Sequence, residues 1–178
     1  MFSETYWLLA NVGIRVYVGE TYEVYQEVET MPEITRQQLI LALVSAGTNP
    51  RLAGVNLQEL DMTRLDLNGA NLKQASMTAA KMREVTLRSA NLFFADLTLA
   101  QLPGADLNTA NLQGANLTGA NLQGANLAGT NLNNVNFNDA NLQGAIMKGA
   151  NVNGVKFNDK TVWPDGKKGN QSAPGNYT

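Results

Sequence analysis

A chain of 178 residues with a net charge of −2 suits one domain with a modest core. Apolar residues make up an ordinary 44%, but only 16% are charged, and Asn, Gln, Thr and Gly fill the deficit. The absence of Cys and His excludes disulfides, thiolate nucleophiles, Cys/His zinc sites and every triad with an imidazole base.

Residues 1–32 read as a small N-terminal extension. Ile14, Val16 and Val18 alternate with Arg15 and Tyr17, which predicts a strand. Gly19-Glu20-Thr21 could turn it into a second strand from Tyr22 to Val28, and a Glu-rich helix over the second half is the alternative. The segment is dense in aromatics, with Phe2, Tyr6, Trp7, Tyr17, Tyr22 and Tyr25. Trp7, Tyr17, Tyr22 and Tyr25 are candidate partner-binding residues, since such side chains are enriched at interfaces. An elaborated cap is the plainer reading; the sharper one is a docking or dimerisation element, with a homodimer through residues 1–30 as one form of it.

Residues 33–49 read as a capping helix and linker. Glu33 to Ala46 is amphipathic, with Thr35 and Gln38 as a capping box and Ile34, Leu39, Leu41, Leu43 and Val44 as the apolar face. Gly47 and Asn49-Pro50 end it.

From residue 50 to 159 a period of five governs the chain. Stepping by five from Leu52 to Phe157 gives 22 positions: seventeen are Leu or Phe, four are Met, and Val152 completes the set. Two residues before each centre stands a small residue, mostly Ala from Ala70 onward; just before it stands mostly Asn or Asp; after it come a polar residue and often Gly, as in Ala115-Asn116-Leu117-Thr118-Gly119. A period of five fits neither the 3.6 of a helix nor the 2 of a strand. It fits a chain that turns about 90° after each unit, so that four units close a square coil and coils stack at about 4.8 Å. Val55, Leu60 and Leu65 exceed Ala at the small position, which predicts wider or irregular first coils. Asn68-Gly69 and Asn153-Gly154 look like hairpin turns in isolation, but the period overrules that.

The run of A-(N/D)-L-x-x units from about Val55 to Phe157 resembles the pentapeptide-repeat family, and Thr161-Val162-Trp163-Pro164-Asp165-Gly166 resembles a closing phrase of members from photosynthetic bacteria. The resemblance implies an all-β solenoid, a right-handed quadrilateral β-helix. Residues 160–178 would then hold a Trp163 cap and, from Lys167, a disordered tail.

Residues 1–49 carry a charge balance of −4, residues 50–159 a balance of zero, and the tail three Lys against Asp165. No basic stripe marks a nucleic-acid binder. No apolar run approaches the roughly 18 residues of a membrane helix. Glu4 stands where a secretory signal carries Lys or Arg, so a cytoplasmic protein is expected, and the resemblance implies a bacterial one.

Nothing points to an enzyme. Asp61, Asp66, Asp96 and Asp106 fall on different sides of the square; only Asp66 and Asp106 share a column, with Thr86 between them. No phosphate-binding glycine loop occurs, and no catalytic, cofactor or metal residue is assigned. Stacking by 20 residues predicts ion pairs Arg64–Glu84 and Asp61–Lys81, and an Asn ladder through Asn71, Asn91, Asn111, Asn131 and Asn151. Phe93, Phe94 and Leu99, beside Pro103, stand at outward positions of an otherwise polar solenoid. They are candidate partner-binding residues, unless the N-terminal segment covers them. The expected function is a non-catalytic protein-binding scaffold or regulatory module, its partner unidentified. The alternative implied by the resemblance is inhibition or protection of DNA gyrase by DNA mimicry.

Overall fold

The computed structural model describes residues 35–46 and 50–178. Helix α1, Arg36–Ala46, begins with the expected cap: Gln38 N–H donates to Thr35 Oγ1 (3.2 Å) and Thr35 N–H to Gln38 Oε1 (2.8 Å). Its inward side is narrower than expected. Leu39 is fully buried and Leu43, four residues on, packs against the core, but Leu41 is exposed. Positions two apart lie on opposite sides of a helix. Ile34, and the side chain of Val44, lie outside what is described. Arg36 fixes the helix to the solenoid through Asp61 Oδ1 (3.2 Å) and the Thr63 carbonyl (2.9 Å).

From Arg51 every β contact is a single parallel bridge between residues 20 apart, Arg51↔Asn71 through Asn136↔Lys156. No extended strand forms, because a turn follows each bridge. Four such bridges per 20 residues give the four-sided coil. In a typical unit the Leu112 N–H donates to the Asn131 carbonyl (2.9 Å), Gly114 N–H to the Asn133 carbonyl (2.8 Å), and Ala115 N–H closes the turn on the Leu112 carbonyl (2.9 Å). The backbone thus satisfies itself between coils.

The centres from Leu52 to Met147 are buried, as is Ala at the small position from Ala70 to Ala150. Val152 and Phe157, in the last coil, are half-buried. Val55, Leu60 and Leu65 do not disturb the register of the first coils. They are accommodated half-buried, packed against the core. Asn68-Gly69 and Asn153-Gly154 form corners of the coil and not hairpins.

The register slips once. Asn141 pairs with Val162, 21 residues on, because Asn158–Lys160 adds one residue to the coil. Thr161-Val162-Trp163 then takes the small, bridging and central places of a further unit. Thr161 and Trp163 are both buried. Thr161 Oγ1 donates to the Phe137 carbonyl (2.8 Å), and the Asn158 side chain accepts from Lys160 N–H (3.1 Å) to hold the extra residue.

The tail corrects an expectation: residues from Lys167 are ordered. Lys168 pairs antiparallel with Val162, and short 3-10 turns follow at Gly169–Gln171 and Pro174–Tyr177. Trp163 supplies the reason. Its Nε1–H donates to the Gly169 carbonyl (2.8 Å), its ring meets Phe157 edge-on (5.1 Å), and Tyr177 stacks over it (6.1 Å). Polar composition concealed two aromatic anchors, Trp163 and Tyr177, fourteen residues apart in sequence.

Candidate functional site

Each unit's turn has its second corner residue in the left-handed region; Gly fills this slot at Gly104, Gly114, Gly119, Gly124 and Gly129, and eleven non-Gly residues, among them Arg64, Gln74 and Thr109, fill it elsewhere. Phe94 (φ +53°) and Leu99 (φ +59°) occupy the same slot on successive corners. Bulky side chains are outliers there, at about 1–2 kcal/mol each. Both are more than half exposed, at 56% and 54%.

Their side chains lie over the next coil. A methyl group at Gly114 would come within 2.8 Å of the Phe94 ring, and one at Gly119 within 2.7 Å of Leu99 Cδ2. The two glycines beneath therefore leave the room that these side chains occupy. Phe93 is half-buried, edge-to-face with Phe94 at 4.5 Å, with Lys73 Nζ 5.4 Å from its ring centre. Pro103, on the side after Leu99, is half-buried. Trp7, Tyr17, Tyr22 and Tyr25, the other candidate contact residues, lie outside the described residues, as do the hairpin and strand–helix alternatives.

Below the apolar corners the surface carries no charge. Residues 107–138 contain no Asp, Glu, Lys or Arg, a band of Asn, Gln, Thr and Gly around the rod. On one side these groups form a directed chain. Asn136 Nδ2 donates to Thr118 Oγ1 (2.9 Å), which donates to Asn116 Oδ1 (2.7 Å); Asn116 Nδ2 donates to Thr98 Oγ1 (2.8 Å), which donates to Asp96 Oδ1 (2.6 Å). Thr78 Oγ1 reaches Asp96 Oδ2 from the other direction (3.2 Å).

The charges lie mainly above the band, and several of them are paired. Arg64–Glu84 forms as expected (2.7 Å), and Glu84 also meets Arg83 (3.2 Å). The hydrogen bonds from Arg64 and then Arg83 hold the Glu84 carboxyl below its usual range. Asp61 neighbours Lys81 in the ladder, but its ion pair is with Arg36 (3.2 Å), because α1 delivers a guanidinium onto it. Hydrogen bonds from Thr63, more than Arg36, lower its carboxyl. Asp66 accepts from Thr86 Oγ1 (3.1 Å), and Asp106 is held by Arg88 and by Asn126 (3.0 Å). Both members of the shared carboxylate column are thus tied to neighbours. Among the described residues no group of His, Cys, Asp or Glu could hold a metal ion.

The Asn ladder takes a different form from the one expected. A direct side-chain bond links Asn131 to Asn111 (3.1 Å). The recurring bond is local: every Asn or Asp at the bridging position accepts, through its side-chain oxygen, the N–H two residues on, as Asn116 does from Thr118 (3.2 Å). Asn and Asp stand there because a short side-chain acceptor braces the start of the turn.

The pentapeptide-repeat family model, eight copies, matches residues 51–89, 90–127 and 120–159. The chain belongs to the pentapeptide-repeat family. Such proteins fold as right-handed quadrilateral β-helices, and the four-sided 20-residue coil seen here agrees with that architecture. Among solved structures this pentapeptide-repeat chain is similar to HetL, involved in heterocyst differentiation regulation in the cyanobacterium Nostoc sp. strain PCC 7120, at 31% identity and a TM-score of 0.35. That match covers 67% of this chain and spans 62% of HetL. Rfr23 from the cyanobacterium Cyanothece 51142 is 27% identical, with 70% of this chain and 99% of that one covered and a TM-score of 0.46. QnrB1, a plasmid-mediated fluoroquinolone resistance protein, is 16% identical over 58% and 60% of the two chains, with a TM-score of 0.26, a likeness of fold alone. Comparison with curated proteins found no match.

Proposed function

We propose that this repeat protein is a non-catalytic scaffold for a protein partner, and that Phe93, Phe94 and Leu99 with the charge-free band below them form its contact surface. The observation that carries this reading is Phe94 and Leu99, exposed and in a backbone conformation that disfavours them, at the margin of a surface without charge. Interface cores are depleted in charge and enriched in aromatics. An uncharged surface can be covered without stripping water from ions, which is the dominant cost of burying a charged one.

The rest of the chain supports that surface. Residues 50–159 are the rod; residues 33–49 supply an N-terminal cap through Leu39 and Arg36; residues 160–178 close the other end through Trp163 and the folded tail. Residues 1–32, with Trp7, Tyr17, Tyr22 and Tyr25, are a second contact element, toward the partner or a second copy. Among the described residues no helix is long and apolar enough to cross a membrane. Gyrase mimicry would need a strongly negative face, and a repeat region with zero charge balance does not provide one.

Quantitative capture of partners from the source organism's extract tests the reading, comparing the full chain with its Phe93→Ala, Phe94→Ala variant. The expected result is a protein partner lost by the variant and held by the parent chain from about 0.05 to about 0.5 M salt, since few charges are buried. A partner held equally by both, or released by salt alone, contradicts it. Supercoiling by gyrase that responds to the protein would favour the other reading.

A further inference from the structure

The two Asn-Gly pairs share one sequence and one corner geometry, but they differ in what holds them. At Asn68-Gly69 the next coil grips both reacting groups. Arg88 N–H donates to Asn68 Oδ1 (2.8 Å), and Gly69 N–H donates to the Arg88 carbonyl (2.8 Å). Asn153-Gly154 lies in the last full coil, where no further coil follows on that side. Both residues are exposed. Among the described residues, neither the Gly154 N–H nor the Asn153 side-chain amide has a hydrogen-bond partner. Only the Asn153 backbone is tied, its carbonyl to Asn134 N–H (2.8 Å) and its N–H to Asn151 Oδ1 (3.3 Å).

We propose that Asn153 is a site of spontaneous modification, at which the Gly154 backbone nitrogen converts the Asn153 amide to a carboxylate, while Asn68 is protected. The Gly154 nitrogen gives up its proton to water and attacks Asn153 Cγ. A C–N bond forms, the bond from Cγ to the side-chain nitrogen breaks, and ammonia leaves. The resulting five-membered imide takes up water at either carbonyl, giving aspartate or isoaspartate. Glycine places no side chain in the way, and an unbonded N–H needs no opening of the ladder before it reacts. The new carboxylate arises beside Asn134, whose Oδ1 lies over Gly154, and the isoaspartyl product lengthens the main chain within the last coil.

Asp165-Gly166 has related chemistry available and is held back in the way Asn68 is. Its Gly166 N–H donates to the Trp163 carbonyl (2.9 Å), and its carboxylate is engaged by Tyr177 (2.7 Å) and Lys167 Nζ (2.8 Å).

The test is peptide mapping of the intact chain after incubation at mildly alkaline pH, well below its unfolding temperature. Trypsin releases residues 149–156 around Asn153 and residues 65–73 around Asn68. The acid and isoaspartyl forms are expected in 149–156 at least about tenfold faster than in 65–73, with the difference vanishing in denaturant. Gly154→Ala should suppress the reaction. A rate at Asn153 no greater than at Asn68 in the folded chain overturns the proposal. So does a difference that persists in denaturant, because local sequence would then be its cause.

Discussion

At the scale of single residues, position within the unit decides what a side chain does. Phe94 illustrates this through opposing magnitudes. Its left-handed backbone costs about 1–2 kcal/mol. Replacement by Gly removes that cost but adds about 0.5–1 kcal/mol of chain entropy and forfeits the buried part of a side chain worth about 1.5–3 kcal/mol when fully buried. With 56% of Phe94 exposed, these contributions nearly cancel. Phe94→Gly is therefore expected to shift stability by less than about 1 kcal/mol in urea unfolding. Asp96 behaves differently. It accepts from Thr98 N–H (3.0 Å), Thr98 Oγ1 and Thr78 Oγ1 and ends the hydrogen-bonded chain from Asn136. Asp96→Ala strands those half-buried donors, at an expected loss of about 1–3 kcal/mol in the same experiment. An Asp96→Ala variant as stable as the parent would show that water replaces the carboxylate without cost.

At the scale of elements, the two ends were harder to read than the middle. In α1 the cap at Thr35 was legible from its spacing, whereas the inward side was not, because Leu39, Leu41 and Leu43 are alike in the sequence and only docking distinguishes them. The tail misled because its order depends on Trp163 and Tyr177 meeting after a one-residue slip, a contact that no local pattern encodes. Asp165 helps to latch it. Hydrogen bonds from Lys167 and then Tyr177 hold its carboxyl at about 2 rather than 3.8. A depressed carboxyl favours the latched state above its ordinary value, and that contribution disappears as pH falls through the depressed one. Buried-tryptophan fluorescence should therefore report loosening of the tail between about pH 4 and pH 2, and Asp165→Asn should remove that response. Gly169 offers a second handle. A methyl group there would stand 2.7 Å from Asp159 Cα, a backbone atom that cannot rotate aside, so Gly169→Ala should release the tail at neutral pH.

At the scale of the whole molecule, the five-residue period made the core legible, since each centre is large and each coil repeats the last. Leu117, buried in mid-rod, exemplifies it: Leu117→Ala should cost about 2–5 kcal/mol. The candidate surface was half legible. Phe93, Phe94 and Leu99 stood out as outward apolar residues, but the conformational cost of Phe94 and Leu99 appears only once the turn places them in the left-handed region. The bracing role of the Asn and Asp residues was likewise hidden, because stacking predicted bonds between coils, whereas the bond that recurs at every such residue lies within its own turn. A rod with an uncharged band and two apolar corners depends little on Phe94 and Leu99 for its own stability, and that is the basis for assigning these two to a partner.

The most direct measurement is partner capture by the Phe94→Gly, Leu99→Gly variant, made alongside its unfolding midpoint. The variant is expected to be as stable as the parent within about 2 kcal/mol, the two small changes adding, and to lose the partner that the parent holds. Retention of that partner by a folded double variant would contradict the assignment of these corners as the contact surface.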